Sequence, residues 1–184
     1  KSVLMKKVLK IAATAAISMV AAGQVFAQAA QQDVNISATV SPFCTIGGSF
    51  TPSAVTATVP VSATGVVTTT AIDPFAGSPP TVICNTAADL KAVSVSGGVK
   101  NATSPPSGFT NIINYTGAAS LGATTSTINT ATVATAAAQE DGNTASTSAA
   151  YAGTLAITVT PQTPTLPLIP GGYADTLRVT ITPQ

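Results

Sequence analysis

The chain has no histidine and no tryptophan, only two cysteines, and charged side chains at just 7% of its 184 positions. Without histidine it lacks the commonest general base, the commonest partner for an activated serine or cysteine, and the commonest metal ligand. Sparse charge beside 45% hydrophobic residues excludes a disordered polyelectrolyte. The Glu, Lys, Leu and Arg that a coiled coil needs are missing. Aromatics make up 4% and no basic stripe is present, which argues against a nucleic-acid surface. Ser and Thr abound, but no lysine or histidine is spaced to activate one, and the acidic residues are scattered. No phosphate-cradling glycine loop occurs. The chain therefore reads as a non-enzyme, with no catalytic residue, no metal site and no cofactor.

The N-terminus carries its own signal. Lys6, Lys7 and Lys10 precede an uncharged run from Ile11 to Ala22, and Val25-Phe26-Ala27 places small residues at −3 and −1 of a cleavage site. This is the layout of a secretory signal peptide over residues 1–27, and the 12-residue run is too short to span a bilayer. Met5 directly precedes Lys6 and is the expected initiator. The rest of the chain holds three cations (Lys91, Lys100, Arg178) against six anions (Asp33, Asp73, Asp89, Glu140, Asp141, Asp175), a net charge of −3. It has no membrane span and no charge attraction to nucleic acid or anionic lipid. In an exported chain, Cys44 and Cys84 are expected to form one disulfide. Loop-closure entropy gives such a bond roughly 4 kcal/mol of stabilisation.

Alternation is the dominant period. Val34, Ile36, Ala38 and Val40 share one face, as do Val55, Ala57, Val59 and Val61; Leu155, Ile157 and Val159; and Leu177, Val179 and Ile181. Period two predicts strands with one buried face, and 31 threonines suit such surfaces. Weaker strand candidates are 66–72, 80–84, 90–96, 109–116 and 118–128. Turn residues fall between these runs, and no amphipathic helix is evident. The Ala-rich 131–138 stretch and the following Gln139-Glu140-Asp141-Gly142-Asn143 read as a surface loop. Many short strands with regular breaks predict an all-β sandwich.

Two terminal segments carry a resemblance. DVNISATV (33–40) is followed by SPFCTIGG (41–48), and the chain ends in Gly172-Tyr173-Ala174-Asp175-Thr176-Leu177-Arg178-Val179-Thr180. This pattern resembles the spore coat protein U domain and the related archaic chaperone–usher pilus subunits. The resemblance implies an incomplete immunoglobulin-like sandwich over 41–184, completed by strand addition from a neighbouring subunit. The donor would be the 28–40 segment, with Val34, Ile36, Ala38 and Val40 as plugs. The acceptor groove would be edged by Leu177, Val179 and Ile181 and by the strand after Cys44. Implied partners are identical subunits, a periplasmic chaperone and an outer-membrane usher, and the implied location is a pilus on the cell surface serving attachment or biofilm formation. Alternatives are a monomeric surface protein or an adhesive binding module, each with a complete sandwich in which 34–40 is simply the first strand. Gly172, Tyr173 and Asp175 are the terminal motif's candidate site residues: Tyr173 as a chaperone contact or a packing aromatic, Asp175 as a cap on the Gly-Gly turn.

Overall fold

An alternating segment becomes a strand only where its apolar face meets a core and its backbone meets a neighbour. The computed structural model describes residues 31–132 and 139–184. The expected signal peptide lies outside the described residues, as do the first three residues of the 28–40 segment. The chain divides into two units, one ending at Thr39 and the other running from Val40 to Gln184. In the first unit, residues 31–39 form no strand and expose their side chains; Gln31 Nε2 donates to Asp33 Oδ1 at 2.7 Å. The strand expected at 33–40 is therefore not formed: its alternation supplies a face, but no ladder partner is paired with it.

The second unit is all-β. Its strands are β1 (Cys44–Ile46), β2 (Thr81–Cys84), β3 (Ala88–Ser94), β4 (Val99–Lys100), β5 (Ile112–Ile113), β6 (Tyr115–Leu121), β7 (Thr124–Asn129), β8 (Glu140–Ser146), β9 (Tyr151–Pro161) and β10 (Leu177–Pro183). A 3-10 turn spans Thr130–Thr132. Five strands make one antiparallel sheet in the order β1-β2-β9-β6-β7, and three make another in the order β10-β3-β8. The core-facing residues of both sheets form one cluster. Val82 and Cys84 of β2, Leu155 of β9, and Ala119 and Leu121 of β6 meet Ala88, Leu90 and Ala92 of β3, all nearly or fully buried. Two antiparallel sheets around one core is the arrangement of a β-sandwich.

The alternating runs at 155–159 and 177–181 fall inside β9 and β10, and 80–84 becomes β2. Other expectations fail as well: the candidate at 66–72 holds only isolated bridges, at Val67 and Ile72. Residues 55–61 form no strand; only Val61 bridges, to Val67, and Val55 and Val61 remain about half exposed. Pro60 lacks the N–H a ladder needs and instead accepts from Thr68 N. Conversely, 140–146 is not loop but β8, paired along β3. Gln-Glu-Asp-Gly-Asn reads as turn chemistry, yet here it makes a β-bulge. Lys91 pairs with Thr144 and Val93 with Asp141, leaving Gly142 and Asn143 opposite Ala92. A Cβ on Gly142 would lie 2.6 Å from Thr127 O and 2.7 Å from Ala92 O, so only glycine lets the backbones approach this closely.

Candidate functional site

The two seams of the sandwich, where the sheets end side by side, are built differently. At one, β7 and β8 lie together without a shared ladder. Asn143 substitutes for a ladder: its Oδ1 accepts from Thr127 N (2.7 Å) and Thr127 Oγ1 (3.0 Å), and its Nδ2 donates to Thr125 O (3.3 Å). Buried Ser126 adds a second stitch, donating to Asn143 O and accepting from Ala92 N at 2.9 Å. The N–H freed by the bulge thus finds an acceptor, as a buried donor must.

At the other seam, β1 and β10 are the terminal strands of their sheets, and no ladder joins them. β10 pairs with β3 from Leu177↔Ser94 to Pro183↔Ala88. Val95 N donates to Thr176 O, and Gln184 N to Ala87 O. These two bonds fix the alternation: even-numbered residues of β10 exchange bonds with β3. The N–H and C=O groups of Leu177, Val179 and Ile181 therefore point to the open side. Their side chains face the core but stay only half-buried, while Arg178, Thr180 and Thr182 are exposed. The opposite lip, β1, is held by the Cys44–Cys84 disulfide, which joins directly opposed residues of β1 and β2 with Cα atoms 4.1 Å apart. Beyond β1 the chain reverses through Gly47-Gly48, both at positive φ, with Ile46 and Ser49 exchanging backbone bonds at 2.9 and 3.0 Å. Phe50 then meets Phe43 edge to face, ring centroids 6.4 Å apart.

Asp175 sits where β10 begins, and it does not cap the Gly-Gly turn as the sequence suggested. Its Oδ2 accepts from Ser94 Oγ at 2.5 Å and from Tyr115 OH at 2.7 Å. Its Oδ1 accepts from Ser96 N at 2.9 Å and Thr176 N at 2.7 Å. Ser94 Oγ in turn accepts from Gly98 N at 3.0 Å. Burial opposes charge on Asp175, but the bonds from Ser94, Tyr115, Ser96 and Thr176 outweigh it and hold its pKa below the ordinary aspartate value. Burial pushes the Tyr115 phenol well above its ordinary value, and the Asp175 carboxylate adds to that shift. No spacing in the sequence links residues 94, 96, 115 and 175.

Tyr173 is half-buried and donates to Ile169 O at 2.8 Å, anchoring the loop before β10; Gly172 is exposed. Val34, Ile36 and Val40 are 76%, 92% and 75% exposed, and Ala38 is exposed as well. Among the described residues, no group of three or more acidic or cysteine side chains is placed to hold a metal. No helix among them is long and apolar enough to cross a membrane. A shallow depression beside the β6–β7 turn, lined by Gly122, Thr124, Thr147, Ser148 and Tyr151, offers no carboxylate or amine. The arrangement leaves the β10 edge outside any ladder with β1, with half-buried apolar side chains along it. No protein-family model, curated protein or solved structure matches the chain.

Proposed function

We propose that this protein is a structural subunit of a surface fibre, polymerising head to tail by strand donation. In this reading the second unit is an incomplete immunoglobulin-like sandwich of the chaperone–usher pilin kind. The observation that carries it is the open seam. β10 turns the backbone polar groups of Leu177, Val179 and Ile181 away from β3, toward no backbone partner among the described residues, while leaving their side chains half-buried. Residues 34–40 have the complementary character, with four apolar side chains at period two, all exposed. Each such side chain contributes on the order of 1–2 kcal/mol when buried. An added strand would also satisfy backbone groups that otherwise form a sticky edge.

A contact between unlike surfaces, repeated from subunit to subunit, produces an open fibre. The exposed edge calls for a chaperone during export and an assembly site at the outer membrane. The fibre's role is attachment or biofilm formation at the cell surface.

The test compares the chain from residue 28 with a permuted chain, 41–184 followed by a flexible linker and residues 28–40. The permuted chain is expected to be a sharply melting monomer. The unpermuted chain is expected to form multimers that resist sodium dodecyl sulfate. A stable monomer from the unpermuted chain, with no gain on permutation, would overturn the reading.

A further inference from the structure

The edge of β10 is useful to an incoming strand only if it is presented in one register, and the apolar pattern does not guarantee that. A one-residue slip of β10 against β3 would turn Arg178 and Thr180 into the core. A two-residue slip keeps every apolar side chain inward, because Leu177, Val179 and Ile181 repeat at period two. The connection into β10 from β9 is long and rich in proline and glycine, so no tight turn sets the register. The Lys100–Ala174 bridge is backbone only, and any residue can make such a bond. Gln184 Nε2 reaches Asp89 Oδ1, but at an exposed position.

We propose that Asp175 is the register pin of the acceptor edge, a positioning residue that acts through β10 rather than by touching the incoming strand. The proposal rests on the strand-donation reading. Its geometry is specific to one alignment. Asp175 gathers donors from the end of β3 (Ser94, which is fully buried), the residues just beyond it (Ser96), β6 (Tyr115, nearly fully buried) and its own neighbour just before β10 (Thr176). A slip of two residues would carry the carboxylate away from Ser94 and Tyr115 together and leave those buried hydroxyls without it, which is costly. Leu177 adds a size constraint: its Cδ2 lies 3.2 Å from where a Cβ on Gly117 would be, so it fills the space that glycine leaves. The aligned strand then offers the backbone of 177, 179 and 181 at fixed heights.

The experiment uses exposed, outward positions, so that the core is untouched. Ser37→Cys is combined in turn with Arg178→Cys, Thr180→Cys and Thr182→Cys in the exported chain, and intersubunit disulfides are quantified in the multimers. With Asp175 intact, one pair is expected to dominate the others on the order of tenfold. With Asp175→Asn, that dominance is expected to fall to near parity between pairs two residues apart. Tyr115→Phe removes a single donor and is expected to give an intermediate loss; it serves as the readout where Asp175→Asn fails to fold. If one pair dominates equally in both variants, the pin is refuted while strand donation survives. If Ser37→Cys cross-links to none of the three in any background, strand donation itself fails.

Discussion

The two seams solve the same problem, a row of backbone groups left over at a sheet's end, in opposite ways. At β7/β8 a bulged strand brings Gly142 against two carbonyls and turns Asn143 so that one carboxamide does the work of a neighbouring strand. At β1/β10 nothing is stitched: a disulfide stiffens one lip, and a half-buried apolar row lines the other. A polar seal makes the first seam self-sufficient. The second keeps backbone groups outside any ladder among the described residues, beside a row of half-buried apolar side chains.

That contrast can be broken from either side. The largest effect is expected from replacing both cysteines with alanine, which frees the β1 lip and costs about 4 kcal/mol in denaturant unfolding. Next comes Gly142→Val. Its Cβ would meet Thr127 O and Ala92 O at 2.6 and 2.7 Å, and about 3 kcal/mol of stability is expected to be lost in the same measurement. Asn143→Ala is milder, about 1 kcal/mol, because the side chain is solvent-exposed. It should nonetheless convert the sealed seam into a second open edge, seen as new lateral association by light scattering. The smallest effect is one of pH. A carboxylate whose folded pKa is depressed stabilises the fold above its unfolded pKa and loses that contribution as pH falls through the folded value. The melting advantage of the native chain over Asp175→Asn should hold from neutrality down to about pH 4 and shrink below it, as followed by circular dichroism. A constant difference down to pH 2 would remove the charge from the account of β10's anchoring.

The strands that alternate and also face the core, in β2, β9 and β10, were legible because one period served both ladder and packing. The Cys44–Cys84 bond was legible from the count of two cysteines and the expectation of export. β8 was hidden because Glu140-Asp141-Gly142-Asn143 carries turn residues, and their use in a bulge depends on Ala92 and Thr127, far away in sequence. Residues 55–61 mislead in the other direction: alternation is present, but Pro60 interrupts the donors and no strand lies alongside. Asp175 drew attention through its motif, yet its partners come from β3, β6 and the residues beyond them, and only the fold assembles them. The alternation at 34–40 is a face without a ladder, and the strand-donor role proposed for it is argued from the open seam rather than from the segment itself.

The disulfide has one more consequence, a mechanical one. Cys44 follows closely on the 28–40 segment, and its bond to Cys84 spans a sequence separation of 40. Tension applied through the N-terminal segment enters β1 and crosses the sulfur bridge into β2, which is hydrogen-bonded along β9 in the middle of the larger sheet. The irregular stretch between the cysteines, including the 55–61 run that forms no strand, is bypassed by that path. Under load it stays slack, and the extensible part of the molecule is removed from the line of force.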